Sequence, residues 1–251
     1  MTDWQASKNW FDRGGQAYAR FRPEYPLGPA RFLAETARSH KCAVDVGCGN
    51  GQLTAQLAAY FDDVVGLDPS ADQIANAPAQ QGVRYICASA EKLPLPDRSA
   101  NLITAAQAAH WFDLPAFYAE ARRIASDGAA LALISYGVLR LPGDLQSRFD
   151  RFYHDEIGPY WPPERKLVDR GYRDLCFPFE ERQAPQMDIQ LAWALGDFLG
   201  YLSTWSAVQR VKGTGREDIL NDFARDISRL WGDPTKTQPV SWPINMRIGL
   251  L

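Results

Sequence analysis

Between residues 43 and 137, short apolar runs alternate with amphipathic stretches. Ala43–Val46 reads as a buried strand, and Leu53, Leu57 and Tyr60–Phe61 share one face of the next helix. Val64–Leu67, Val83–Cys87, Leu102–Ala106 and Ala130–Tyr136 have the same strand character. Between them lie a short helix over Ala71–Ala77, stopped by Pro78, and a longer one. Asp113 is placed to cap that longer helix, which runs through Phe117, Tyr118, Ala121 and Ile124 and ends at Asp127-Gly128. Strands separated by single helices require a parallel sheet with right-handed crossovers, so the expected class is α/β.

Outside this region the pattern changes. Residues 8–21 read as a helix that Arg22-Pro23-Glu24-Tyr25-Pro26 stops, and residues 27–38 as a second helix with Phe32 and Leu33 inward. After Gly137 the strand–helix alternation is lost. Residues 138–176 are helix and loop with aromatic and proline-rich stretches such as Gly158-Pro159-Tyr160-Trp161-Pro162-Pro163. Beyond them the expectation is a strand over Phe177–Gln183, helices over Leu195–Val211 and Arg216–Trp231, and a final strand over Pro239–Leu250.

Composition narrows the function classes. A chain of 251 residues, 46% apolar and 23% charged, suits one sizeable α/β domain with room for a cap. Its formal net charge of −3 gives no electrostatic drive toward nucleic acid. The lack of an apolar run of about 18 residues argues against a membrane span. The first fifteen residues have no basic stretch followed by an apolar one, so the expected location is cytoplasmic. None of Cys42, Cys48, Cys87 and Cys176 forms a C-x-x-C pair, so no metal is expected and the thiols are expected to be reduced. The 8 Trp, 10 Tyr and 12 Phe suit an apolar pocket as well as a core, although packing is the commoner use of any one of them.

The strongest chemical signal is Val44-Asp45-Val46-Gly47-Cys48-Gly49-Asn50-Gly51, which leaves a strand and enters a helix. Glycines serve where main chain turns tightly or a ligand must approach it, and the helix N-terminus presents unpaired N–H groups. The spacing is G-x-G-x-G with Gln52 sixth, not the dinucleotide G-x-G-x-x-G, and it lacks the G-K-[ST] ending of a phosphate loop. Asp45, two residues before the first glycine, suits an ammonium partner and would not help bind a phosphate. Asp68 ends the next strand, seventeen positions after Gly51, where a carboxylate accepts ribose hydroxyls in nucleotide-binding α/β folds. An ordinary strand-to-helix turn and a lone turn aspartate are the plainer alternatives; three glycines in five residues with Asp45 make the first the poorer account, and the strand end and spacing of Asp68 the second.

In these residues the sequence resembles the class I S-adenosylmethionine-dependent methyltransferases, nearest to the "type 11" small-molecule branch that includes trans-aconitate methyltransferase. The resemblance covers residues 43–137. It extends more weakly to Tyr18-Ala19-Arg20-Phe21-Arg22-Pro23-Glu24-Tyr25-Pro26 and to Thr204-Trp205-Ser206-Ala207-Val208-Gln209. It implies a Rossmann-like seven-stranded sheet whose last strand is antiparallel, with a helical, aromatic-rich cap inserted after the fifth strand. The implied divisions are an N-terminal helical lid over 1–38, a cofactor-binding core over 39–137, a cap over 138–176, and a completion of the sheet and substrate pocket over 177–251.

It also implies S-adenosylmethionine as cofactor, with residue roles to match. Asp45, Gly47, Cys48, Gly49 and Gly51 would wrap the methionine part. Asp68 and Pro69 would hold the ribose, and Ser89, Ala90 and Glu91 the adenine. Many relatives carry Asp where this chain has Ser89, a shorter and neutral group. Gln107 would lie beside the cofactor, with Tyr18 and Arg22 in a lid over it. His110 and Trp111 come after the fourth strand, where such enzymes line the site next to the methyl group.

A sulfonium is already an activated methyl donor, so the protein mainly orients donor and acceptor. A carboxylate acceptor needs no base, whereas a phenol or amine benefits from one. His110 therefore reads as a substrate-orienting or proton-accepting group, against the alternative of a rim histidine bonded to backbone. Trp111 reads as a pocket wall whose face tolerates a sulfonium. Arg22 would pair with a cofactor or substrate carboxylate, unless it forms a surface ion pair. Phe149, Tyr153, Tyr160 and Trp161 are candidates for a substrate wall, and Arg140, Arg165 and Lys166 for contacts with an acidic substrate. The expected reaction is methylation of a small molecule, with O-methylation of a carboxylate to the fore. A protein or RNA acceptor, a non-catalytic cofactor-binding module and, remotely, an NAD-dependent dehydrogenase are the competing classes.

Overall fold

The computed structural model describes residues 22–251. The expected helix over 8–21, and Tyr18 within it, lie outside the described residues. The elements are α1 (Leu27–Thr36), β1 (Cys42–Val46), α2 (Gln52–Leu57), β2 (Asp63–Asp68), α3 (Ala71–Ala75), β3 (Val83–Cys87), β4 (Ala100–Ala106), α4 (Leu114–Ile124) and β5 (Ala125–Tyr136). Then come α5 (Gly143–Arg151), α6 (Arg165–Asp169), β6 (Glu181–Arg182), β7 (Met187–Trp193), α7 (Leu195–Ser203), α8 (Ser206–Gly213), α9 (Glu217–Trp231) and β8 (Gln238–Leu250). A π-helical turn, Phe152–Glu156, prolongs α5.

The strands form one sheet of eight, in the order β3-β2-β1-β4-β5-β8-β6, with β7 also paired to β8. β1 to β5 are parallel and β8 runs antiparallel to β5. Alternation along β5 shows how sequence sets the layers. Ala130, Ala132, Ile134 and Tyr136 face one apolar core, and Leu131 and Leu133 face the other. The second core is closed by Phe117, Tyr118, Ala121 and Ile124 of α4. The first holds α1, α2 and a helical layer from two stretches of chain, α5 with its π turn and α7 to α9. Aromatic rings join those stretches: Phe152 stacks on Phe223 at 3.8 Å, and Trp205 meets Phe149, Tyr153 and Trp161 at 6.0, 5.6 and 5.2 Å.

Four local expectations are corrected. The fourth helix ends at Ile124, not at Asp127-Gly128, and β5 begins at once with Ala125 paired to Ala100. Gly128, with φ of 72°, sits at an irregularity inside the strand, and Ser126 fastens the bulge by donating to the Ala100 carbonyl at 2.9 Å. The stretch Leu195–Val211 is two helices, because Trp205 takes an extended backbone to bury its ring. Of Phe177–Gln183 only Glu181–Arg182 is strand, since Phe177 and Phe179 turn their rings onto Tyr118. β7 was not anticipated, although Met187-Asp188-Ile189-Gln190-Leu191 carries the apolar–polar alternation of a strand. Among the described residues, no helix is long and apolar enough to cross a membrane.

Phe223 is fully buried, stacks on Phe152 and lies under the Arg148 guanidinium. Phe223→Ala is expected to cost about 3–5 kcal/mol in urea unfolding. A loss below about 1 kcal/mol would show that the two helical stretches do not depend on this stack.

Candidate functional site

Parallel strands deliver their carboxyl ends to one edge of the sheet, and a cavity of about 400 Å³ lies there. Its wall is drawn from the segments after β1 (Gly47, Cys48, Gly49, Asn50), β2 (Asp68, Pro69, Ser70), β3 (Ser89, Ala90, Glu91) and β4 (Gln107, Ala108, His110, Trp111, Phe112), and from the end of β5 (Tyr136). Arg22 and Tyr25 join from one side and Glu164 from the other. Of the anticipated site residues, Asp45, Gly47, Cys48, Gly49, Asp68, Pro69, Ser89, Ala90, Glu91, Gln107, His110, Trp111 and Arg22 all line this cavity. Gly51 is buried just behind it, where it N-caps α2.

The loop after β1 takes positive φ at Gly47, Gly49 and Gly51, of 69°, 56° and 84°. Two of these positions have distinct spatial reasons. A Cβ on Gly47 would stand 2.4 Å from the Ala108 methyl, so the loop packs directly on the segment after β4. A Cβ on Gly49 would meet no protein atom nearer than 3.9 Å and would project into the cavity.

Asp68 closes the loop from the neighbouring strand. One carboxylate oxygen accepts the Gly49 N–H at 2.9 Å and the other accepts the Ser70 N–H at 2.9 Å. It is thus a clasp for the glycine loop as well as a cavity wall, which spacing alone did not reveal. Burial holds its carboxyl above the ordinary range, partly offset by these two N–H donors.

Asp45 lies deeper and is almost fully buried. Thr104 and Thr54 each donate to one of its oxygens, both at 2.7 Å. Burial pushes its pKa up to about 6 against the pull of the two hydroxyls, and the charge of Asp68 adds to the rise. Among the described residues neither aspartate has a Lys, Arg or His within ion-pair distance. Two partly dehydrated anions therefore share one cavity, and Arg22, the cation in its wall among the described residues, is in ion-pair contact with neither.

The opposite wall is mainly aromatic, with Arg22 at its side. Gln107 adopts φ of 54° and donates its amide to the Tyr136 carbonyl at 3.1 Å, tying β4 to β5. His110 packs on Trp111, with ring centroids 4.8 Å apart, and its Nδ1 lies 2.8 Å from the hydroxyl of Tyr172. Burial, then the nearby Arg165 charge, lowers its pKa to about 3, so the ring is neutral at physiological pH. Arg22 donates to the Tyr136 hydroxyl at 3.1 Å and lies over the Tyr201 ring.

Other anticipated residues lie elsewhere. Phe149 and Tyr153 are fully buried in the helical layer, and Trp205 is core. Arg165 is held by the Tyr153 hydroxyl and Asp169, both at 2.8 Å, and lies over the Trp161 ring. Arg140 lines a separate cavity of about 530 Å³ with His154, Arg170 and Asn245, and Lys166 is exposed. Two relevant groups escaped the sequence reading. Glu164 reaches the cavity from a proline-rich loop, and Tyr172 pairs with a histidine 62 positions away, which no local pattern encodes.

Residues 44–133 match the sequence pattern of the methyltransferase domain family. A protein of Dictyostelium discoideum named as a methyltransferase is 35% identical over 239 residues, covering 92% of this chain and 90% of its own. The malonyl-[acyl-carrier protein] O-methyltransferase of a Marinomonas species is 30% identical, covering 92% of this chain and 81% of that one. Among solved structures, a type II methyltransferase of Anaeromyxobacter dehalogenans superposes with a TM-score of 0.87 at 43% identity, covering 92% of this chain and 98% of the other.

Asp45 also makes a stability prediction. Its folded pKa stands above its unfolded value of 3.8, so the folded state holds the extra proton between pH 4 and 6. The ligand-free fold therefore loses stability as pH rises through that window, by a penalty on the order of 1–3 kcal/mol that persists above pH 6. Ligand-free Asp45→Asn is expected to melt no lower than the parent at pH 7.5, and its advantage is expected to vanish near pH 4. A variant melting several degrees lower at pH 7.5 would refute the uncompensated-anion description.

Proposed function

The chain belongs to the class I S-adenosylmethionine-dependent methyltransferases, and from that membership we propose that the cavity at the carboxyl edge holds the cofactor while the enzyme methylates a carboxylate oxygen of a small acid. The observation that carries the cofactor assignment is the pair Asp45 and Asp68, buried or half-buried beside a glycine loop and, among the described residues, in ion-pair contact with no cation. A buried anion needs a positive partner. The ammonium of an amino-acid-bearing nucleoside supplies one, and its ribose hydroxyls supply donors for the remaining lone pairs of Asp68.

When bound, S-adenosylmethionine supplies a methyl group on a positively charged sulfur. The chain's own residues do the rest. Gly49 leaves space for the ligand against the main chain, and Asp45 orients the amino end. Asp68 holds the sugar while keeping the loop closed. Ala90 offers a backbone N–H to the purine, with Ser89 and Glu91 beside it. Glu91 also accepts the Asp113 N–H at 3.1 Å, which fixes that loop to the start of α4. Gln107 sets the far wall, Trp111 presents an aromatic face, and His110 orients the acceptor. Arg22 lies where it can meet a carboxylate, on the cofactor or on the acceptor.

Oxygen methylation of an acid is supported by the Marinomonas relative, whose name gives a malonyl group as its acceptor, and by the neutral His110, a poor base. That same name favours a second reading, in which the acid is presented on a carrier protein. Comparing a free malonyl thioester with the carrier-bound form separates the two.

Two measurements test the cofactor reading. In calorimetry with S-adenosylhomocysteine, Asp68→Ala is expected to weaken binding at least about tenfold; unchanged affinity would remove the sugar assignment. Because Asp45 must be ionised to hold an ammonium, affinity is expected to fall about tenfold per pH unit below pH 6, and a flat profile from pH 7.5 to 5 would remove the amino-end assignment. Release of S-adenosylhomocysteine across a panel of small acids, phenols and amines tests the acceptor. Turnover confined to amines would overturn the carboxylate reading.

A further inference from the structure

Tyr172 is an unusual residue. It is fully buried, comes directly after Gly171 and, like that glycine, takes a left-handed backbone, with φ of 61° and 62°. A bulky non-glycine residue rarely adopts this conformation, and such positions persist where the surroundings hold them. Here the surroundings do so from several sides. The Tyr172 N–H donates to the Leu167 carbonyl at 2.8 Å. Its own carbonyl accepts from Arg247 of β8 at 3.0 Å, and the same guanidinium binds the Leu175 carbonyl at 2.6 Å. The turn carries the phenol to His110 Nδ1, which lies 2.8 Å from its oxygen.

The direction of that hydrogen bond is set by counting protons. A phenol has one O–H to give, and a neutral imidazole has one N–H and one bare nitrogen. Among the described residues the Tyr172 hydroxyl meets His110 twice, at Nδ1 and at the backbone N–H; the N–H can only donate, so Nδ1 is the one acceptor of these two for the phenol proton. Were Nδ1 to carry the proton and donate, the phenol proton would be left buried with no acceptor, at a cost of about 1–3 kcal/mol. The hydroxyl therefore donates to a bare Nδ1, and the proton of the ring sits on Nε2. Nothing else described hydrogen-bonds the ring, and His110 lines the cavity whereas Tyr172 stands behind it.

We infer that Tyr172 is a positioning residue that fixes His110 as an Nε2–H donor toward the methyl acceptor, so the site selects an acceptor oxygen that already lacks its proton. A carboxylate fits this arrangement: it accepts the N–H on one oxygen and presents the other to the methyl group. A phenol or ammonium arrives with a proton that this ring has no lone pair to take. The neutral state of His110, imposed by burial and by Arg165, agrees with the geometry. The inference rests on the reading that the acceptor occupies the cavity beside His110.

The chain has three histidines, His40, His110 and His154, so ¹⁵N-histidine labelling resolves each ring. In the S-adenosylhomocysteine complex, His110 is expected to show a pyrrole-type Nε2 and a pyridine-type Nδ1. Tyr172→Phe is expected to shift the ring toward a tautomer mixture. A protonated Nδ1 in the parent, or an unchanged tautomer in Tyr172→Phe, overturns the inference.

Side-chain replacement gives a second readout. His110→Gln keeps an N–H donor near the Nε2 position but cannot serve as a base. It is expected to hold kcat/KM on the best acid of the panel within about tenfold, whereas His110→Leu loses about a hundredfold or more. Equal losses in the two overturn the donor role. If His110 has the expected tautomer but no acid turns over, the acceptor reading fails and the tautomer assignment stands; acid turnover with a protonated Nδ1 does the reverse.

Discussion

Two carboxylates that no cation of the described residues pairs with organise the edge of the sheet where the cavity lies. Asp45 ends its side chain between two threonine hydroxyls, and Asp68 holds the glycine loop by backbone N–H donors. Hydrogen bonds alone do not offset the loss of water around a charge, and burial holds the Asp45 carboxyl above its ordinary range despite both hydroxyls. The ligand-free protein carries this cost. On the proposed assignment a ligand's ammonium would offset it, so cofactor selection and a less stable empty fold would be two results of one arrangement.

The rest of the architecture gives that edge its opposite wall. Five parallel strands present loops side by side, and the antiparallel β8 carries the sheet on toward the helical layer. In that layer, stretches separated in sequence share one aromatic core, Phe152 with Phe223 and Trp161 with Trp205. The residues reaching the cavity from this side are few. Behind the cavity wall the packing is fixed in turn: Arg165 is held through Tyr153 and Asp169, and Tyr172, which meets His110, through Leu167 and Arg247.

Legibility from sequence divides along the same line. The glycine loop, Asp45, Asp68 and the strand ends were legible because their chemistry lies within a few residues of a strong periodic signal. β7 was legible in principle, since its side chains alternate, but its register depends on β8 some fifty residues later. The end of α4 was misread because Gly128 serves equally well as a helix stop or a strand bulge, and only pairing with Ala100 decides. The break at Trp205 was hidden because both halves have helical periodicity, and the reason for the break is a ring buried by distant partners. Tyr172 carried no signal, since its meaning lies in a contact 62 positions away.

Arg247 reaches from β8 to the carbonyls of Tyr172 and Leu175. The glycine loop and its clasp are complete within residues 45–70, yet the turn that presents Tyr172 is tied to a strand that ends at Leu250. A chain emerging from the ribosome therefore acquires the two halves of its site at different times. On the proposed assignment the half that binds the nucleoside needs the chain as far as β4 and Ala108, which support Asp45 and Gly47. The half facing the acceptor must in addition await β8, so cofactor capture is expected to precede acceptor capture as the chain is made.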